Sequence, residues 1–321
     1  MPSSSPRRTP SGPSHRRCGS SGLVLSALGL SLADRHHPPS ALQEPLVSHA
    51  LELGITHFDI SATAGSPPQQ YTEIGRRLRP GLAWRDEMVI SVRIGLGSGP
   101  QPLTGFGARK QILSGLEGIL RHTGLDYVDV LYAHRLDRTT PLEESMGALA
   151  SAVHSGKALY AGLSAFPAHA VRQASTLLSQ LGTPPVAYQG PYSLLDRGAE
   201  DGLFTLVRDL GMGFIACAPL AQGRLARHRP AACPPPASTP DTAPRHVLTR
   251  LADTRGQAVE QLALAWCLRE ATVASALTTT SQLAHLTSDH AAACSPPLSP
   301  DELTALDQCR FPTPRSTPGT H

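Results

Sequence analysis

Eight short apolar runs that read as β-strands recur along this 321-residue chain, and their spacing constrains the fold more than any other feature. The runs are LVLSALGL (23–30), THFDI (56–60), MVISVR (88–93), YVDVLYA (127–133), ALYAGLS (158–164), VAYQ (186–189), GFIACA (213–218) and VASALT (273–278). Successive starts lie mostly 27 to 39 residues apart, the length of one strand, one loop and one helix. Amphipathic stretches fill the gaps: in GARKQILSGLEGILRH, Ile112, Leu113, Leu116, Ile119 and Leu120 share a helical face, as do Met146, Leu149 and Val153 in EESMGALASAVH. Strands alternating with helices predict a parallel sheet covered on its faces. Eight such units favour closure, giving an α/β fold of the (β/α)₈ TIM-barrel class. The gap from 213 to 273 exceeds one unit. It holds RPAACPPPASTPDTAP (229–244), whose prolines predict a long loop over one end of the domain, followed by two helices around 246–270.

Composition narrows the setting. With 40% hydrophobic residues the chain can bury an ordinary core, and a net charge of +3 gives no case for nucleic acid or an anionic membrane surface. Lys110 and Lys157 are the only lysines among 28 basic residues, which points to a GC-rich coding bias toward Arg. Six scattered cysteines without a CxxC pair read as free thiols of a reducing cytoplasm. No apolar run reaches the roughly 18 residues of a membrane span, so no membrane insertion is expected. Residues 1–15 read as a disordered basic Ser/Pro tail, 16–312 as the barrel and 313–321 as a flexible tail.

Polar residues fall where strands end: Asp59, Arg93, His134, Ser164 and Gln189 close the second to sixth strands. In a (β/α)₈ barrel such ends meet at one mouth, where active sites lie. One polar strand end is ordinarily just solvated; five in series predict a site.

These residues carry a family resemblance. GITHFD (54–59), GLDYVDVLYAHRLD (124–137), TPLEES (140–145), SGKALYAGLSA (155–165), YQGPYSLLDR (188–197) and APLAQGRL (218–225) resemble the aldo/keto reductases. The nearest likeness is to the bacterial L-glyceraldehyde 3-phosphate reductase group, related to potassium-channel β subunits. The resemblance covers roughly residues 16–310. It implies a barrel that binds NADP(H) without a Rossmann domain and reduces a small carbonyl substrate by hydride transfer. It also implies a catalytic Asp, Tyr, Lys and His. The Asp stands at Asp59 and the His at His134, but the Lys position holds Arg93 and the Tyr position Ala64. Alanine offers no proton, and a general acid is worth roughly 10²–10⁴-fold. Arg93 keeps the charge in a broader, always protonated group. Tyr71 is the nearby phenol.

The same resemblance implies that Ser164 and Gln189 hold the nicotinamide amide. It sets Tyr192 either on the nicotinamide-side loop or in rim packing, and Pro219, Leu220, Ala221, Gln222 and Gly223 beneath the pyrophosphate. Arg227 and Arg229 could neutralise phosphate. Ser281, Gln282, His285 and Asp289 stand at the adenosine end, where neutral Gln282 and the lack of an aromatic at Ala33 imply weakened NADP(H) binding.

GLGSGP (95–100) lacks dinucleotide-fingerprint spacing, and His36, His37 and the other histidines lack metal-ligand spacing, so no metal site is expected. Proline-rich 229–244 reads as a mobile lid or, less simply, a partner-binding segment. Three functional readings follow: a reductase with a degenerate catalytic group, a pseudoenzyme acting through a nucleotide or a partner, and an enone reductase using His134 or water as proton source. A homo-oligomer is compatible with each.

Overall fold

The computed structural model describes residues 15–33, 45–64, 68–97, 106–225 and 242–308. Its strands are β1 (His15–Arg17), β2 (Val24–Ser26), β3 (Leu28–Ala33), β4 (His57–Ala64), β5 (Val89–Gly97), β6 (Val128–His134), β7 (Ala158–Ser164), β8 (Ala187–Pro191), β9 (Gly213–Cys217) and β10 (Val273–Thr278). The helices are α1 (Leu46–Glu52), α2 (Pro68–Leu78), α3 (Arg109–Thr123), α4 (Leu142–His154), α5 (Ala168–Gln180), α6 (Leu203–Asp209), α7 (Thr242–Thr254), α8 (Val259–Leu268), α9 (Leu283–Ala293) and α10 (Pro300–Gln308). Among the described residues β3 to β10 close a parallel barrel in chain order, with β10 returning to β3. Helical segments separate the strands, so the fold is the expected (β/α)₈ barrel.

The first run does not form one strand. It splits at Ala27, so that β2 pairs antiparallel with β1 (Arg17↔Val24) while β3 enters the barrel. Ser26 makes the break: its Oγ donates to Leu28 O and accepts from the Thr56 and His57 amides, holding the turn against β4. The β1–β2 hairpin covers the N-terminal end of the barrel. Arg16 donates to Val273 O and Leu268 O at 2.8 Å each. Buried Cys18 donates weakly to Val186 O and packs with Leu25, Tyr132, Ile215 and Leu277. His15, assigned to the tail by sequence, therefore belongs to a strand; residues 1–14 and 309–321 lie outside the described residues.

The strand ends also move. β4 and β5 run past Asp59 and Arg93 and stay paired through Ser61↔Arg93, Thr63↔Leu96 and Ala64↔Gly97, with an irregularity between Ser61 and Thr63. Ladder pairing carries each strand four residues beyond its apolar run. α7 begins at Thr242, inside the segment expected to be free of helix. Pro244 is accommodated because a first-turn residue needs no amide for the helix ladder. Residues 229–241 of that segment lie outside the described residues, as do His36 and His37. Two apolar layers pack between strands and helices; one joins Leu28, Ile60, Ile74, Ile90 and Leu116, the other Leu149, Leu163, Val171, Phe214 and Trp266.

Candidate active site

Side chains alternate along a strand, so Asp59, Arg93, His134, Ser164 and Gln189 face the barrel interior while their neighbours face the helices. All five meet at the C-terminal mouth. Asp59 is fully buried and accepts three hydrogen bonds: from Ser91 Oγ (2.8 Å) and, across the barrel, Gln189 Nε2 (3.3 Å) at Oδ1, and from Arg93 Nη2 (2.8 Å) at Oδ2. Burial alone would lower the Arg93 pKa, but the Asp59 carboxylate beside it holds the guanidinium above its ordinary value. Arg93 is a permanent cation, its side chain 15% exposed.

His134 Nδ1 lies 2.9 Å from Ser164 Oγ. Burial first, then the charges of Arg93 and Arg135, push the imidazole pKa down to about 3. The ring is therefore neutral near pH 7, able to donate one hydrogen bond but holding no spare proton. Gln189 is fully buried and its Oε1 has no partner, an acceptor directed into the barrel interior.

The backbone around this mouth is strained where the strands stop. Arg135, Ala165 and Ala218, each immediately after a barrel strand, have φ of 66°, 55° and 53°. Such left-handed non-glycine residues are uncommon and cluster at functional sites. Arg135 N donates to Ser164 O and Ala165 N to Gln189 O, which ties each turn to the next strand. Beyond Arg135, Asp137 fixes the loop: Oδ1 accepts from Thr139 N and Oγ1, and Oδ2 from Gly107 N and Thr140 Oγ1. These bonds outweigh burial and take its pKa down to about 2.

The loop Pro219, Leu220, Ala221, Gln222, Gly223 is a tight turn with three successive positive φ values, 49°, 57° and 81°, at its last three residues. Amides of Ala221, Gly223 and Arg224 turn back onto Ala218, Leu220 and Ala221 carbonyls. Leu220 and Ala221 pack on the core, while Gln222 is exposed. Arg227 and Arg229 lie outside the described residues. At the far end, Gln282 is the exposed N-cap residue of α9, with Ser281 just before it and His285 half-buried in the first turn.

Two expected cofactor residues face elsewhere. Tyr192 is fully buried in an aromatic cluster, stacked on Trp266 (5.1 Å) and edge-on to Phe204 (4.9 Å), with its hydroxyl donating to Glu200 and accepting from Arg269. The rim-packing alternative is the observed one. The reason is parity, since Tyr192 lies three residues after Gln189 and falls on the outer face. Asp289 is 5% exposed and accepts from Thr278 Oγ1, so it fastens α9 to β10 instead of pointing outward. Burial raises its pKa to about 6.

Cys217, at the end of β9, was not singled out by the sequence. It interacts electrostatically with Arg93 and Asp59, so its thiol belongs to the mouth, and burial raises its pKa to about 11. Its parity with inward Ile215 was the available signal. Tyr71 is buried in the layer behind the strands with Ile74 and Leu116. Among the described residues no group of three or more His, Cys, Asp or Glu is arranged to hold a metal ion, and no helix is long and apolar enough to cross a membrane.

The arrangement can hold a carbonyl oxygen between a neutral imidazole donor and a fixed cation. Comparison with known proteins agrees in kind. The profile of the Aldo/keto reductase family matches residues 28–310. L-glyceraldehyde 3-phosphate reductases of Escherichia coli O157:H7 and of Escherichia coli strain K12 are each 36% identical over 316 residues, covering 92% of this chain and 91% of the relative.

Proposed function

The chain belongs to the aldo/keto reductase family, and from that premise we propose that it is an NADP(H)-dependent reductase of small aldehydes or ketones, slowed by the loss of its proton donor. The observation that carries this reading is the set of groups joined at the mouth, Asp59, Arg93, His134, Ser164 and Gln189, with a fully buried acceptor, Gln189 Oε1, left open. A buried amide oxygen without a partner costs about 1–3 kcal/mol, which an amide donor would recover. A nicotinamide carboxamide is such a donor. The left-handed turn at 219–223 suits close approach by phosphate, because its small residues and its glycine let a ligand come near the backbone. Ser281, Gln282 and His285 would flank the adenosine end at the N-terminus of α9. The residues present therefore fit the cofactor.

Bound NADPH supplies the hydride. Ser164 Oγ–H donating to His134 Nδ1 leaves Nε2–H to donate to the substrate carbonyl oxygen and so to orient it. Arg93, held by Asp59, adds positive charge where negative charge develops, an electrostatic contribution independent of proton transfer. What the mouth lacks is a phenol beside the cation. Ala64 has no proton to give, the Arg93 guanidinium holds its own, and His134 is neutral. Water or the protonated Cys217 thiol must protonate the product oxygen, so turnover of ordinary aldehydes is slow.

The pseudoenzyme reading rests on Ala64 and Arg93 themselves. Binding and turnover separate the two. NADPH should raise the melting temperature by linkage and be oxidised slowly, followed at 340 nm with glyceraldehyde or methylglyoxal. No melting shift with NADPH or NADH at millimolar concentration refutes the cofactor reading. A shift without any oxidation favours the pseudoenzyme. An enone reductase that draws its proton from His134 is disfavoured by the depressed imidazole pKa.

A further inference from the structure

The Asp59 carboxylate also ends a hydrogen-bond chain that starts across the barrel interior. Ser275 on β10, His57 on β4 and Ser91 on β5 are each 0–1% exposed. His57 Nδ1 lies 2.9 Å from Ser275 Oγ, and His57 Nε2 lies 3.2 Å from Ser91 Oγ. Ser91 Oγ donates to Asp59 Oδ1 at 2.8 Å. Space for the ring is made by Gly29 on β3, where a Cβ would stand 2.9 Å from His57 Nδ1 and 3.1 Å from Ser275 Oγ.

The carboxylate fixes the direction of every link. It can only accept, so the one Ser91 hydroxyl proton is committed to it. Ser91 Oγ must then accept from His57, which places the ring proton on Nε2. A neutral imidazole has one N–H, so Nδ1 is an acceptor and Ser275 donates to it. Burial drives the ring to that neutral form despite the pull of Asp59, with a pKa down to about 4. All the donors run one way.

We propose that Ser275, His57 and Ser91 form a one-way donor array, with His57 locked as the Nε2–H tautomer, and that His57 and Ser275 are positioning residues for Asp59 and, through it, for Arg93. The proposal rests on the reductase reading only for what Asp59 and Arg93 serve; the array itself is independent of any nucleotide. Chained bonds polarise one another by about 10–30% per bond. On the Ser91–Asp59 bond, a bond to a charged group worth about 1.5–3 kcal/mol, that amounts to roughly a 1.3- to fivefold effect on how firmly Asp59 is pinned, and so on how steadily it holds Arg93.

The experiment is nitrogen-15 NMR of the histidine rings in the full chain, with His57 identified by the signals missing from His57→Gln. The expected spectrum shows Nε2 protonated and Nδ1 bare, unchanged between about pH 8 and pH 5. Ser91→Ala removes the acceptor of Nε2–H, so the Nδ1–H form bonded to Ser275 becomes populated. With Asp59 less firmly pinned, exchange of the Arg93 guanidinium protons should quicken roughly 1.3- to fivefold in His57→Leu. It should return to the wild-type rate in His57→Gln, whose amide nitrogen stands near the former Nε2. An Nδ1–H ring or an imidazolium in the wild-type protein overturns the array, whether or not any variant folds or NADPH binds. A quickening shared equally by His57→Gln would reduce His57 to a packing residue.

Discussion

Replacing Asp59 by alanine tests whether the Asp59–Arg93 pair is the electrostatic centre of the mouth. The change strands three donors: the Arg93 guanidinium, the Ser91 hydroxyl and the Gln189 amide. Breaking a buried ion pair by removing one partner costs about 3–5 kcal/mol. The 15% exposure of Arg93 lets its head reach water, which favours the low end of that range. The unpaired Ser91 and Gln189 add about 1–3 kcal/mol each where water fails to replace the carboxylate. A loss of about 3–5 kcal/mol is therefore expected. The double change Asp59→Ala with Arg93→Met removes both charges and keeps most of the side-chain volume at 93. Only the two neutral donors stay stranded, so the double variant should recover roughly 2–3 kcal/mol of the loss, a coupling typical of groups in direct contact. The assay is equilibrium unfolding in urea, followed by far-UV circular dichroism and by fluorescence of buried Trp266. A loss below about 1 kcal/mol for Asp59→Ala, or strictly additive single changes, would show that the pair is solvated and refute the reasoning.

Further outcomes follow from the same geometry. Ala64→Tyr together with Arg93→Lys should raise NADPH-dependent aldehyde turnover by roughly 10²–10⁴-fold, with neither single change sufficient; brisk wild-type turnover left unaltered by the double change would point to another acid. Affinity for NADPH should exceed that for NADH only modestly, because neutral Gln282 precedes α9; Gln282→Arg should widen the gap in a titration by fluorescence. Acid should unfold the protein early. His57 and His134, at about 4 and about 3, stay neutral when folded but gain protons when unfolded below about pH 6.5, so stability falls as pH drops through that value. Asp289, at about 6, acts oppositely: its folded state holds a proton that the unfolded chain gives up, so it favours folding at low pH and loses that contribution as pH rises toward 6. Asp289→Asn should accordingly gain on the order of 2–3 kcal/mol at pH 8, because an amide is spared the cost of ionising in a buried place; no gain in urea titrations there would mean that Asp289 is hydrated.

Strand–helix alternation and the polar strand ends were legible because periodicity and parity are local properties. Asp59, Arg93 and His134 could be read from where the apolar runs stop. Ser275 and Ser91 could not, because their roles arise only when β10 and β5 close around β4. The break at Ala27 was not legible, because Ser26 makes it with a side-chain bond inside a run whose residues all suit a strand. Tyr192 and Asp289 were misplaced for a different reason. A resemblance transfers positions along the chain, whereas burial and side-chain direction decide what each residue can touch, and both are buried away from the mouth here.

The β1–β2 hairpin carries a consequence for synthesis on the ribosome. Arg16 is seated on carbonyls 252 and 257 residues further along the chain. At about 5–20 residues per second, the first strands to emerge must wait roughly 13–50 s for the place they occupy to exist. Until β10 arrives, the cluster that buries Cys18 and Leu25 lacks its Ala274 and Leu277 wall, so a hairpin that precedes the barrel strands in the chain is committed late. Nascent chains halted before residue 268 should leave the Cys18 thiol open to a maleimide reagent, and release of the full chain should close it.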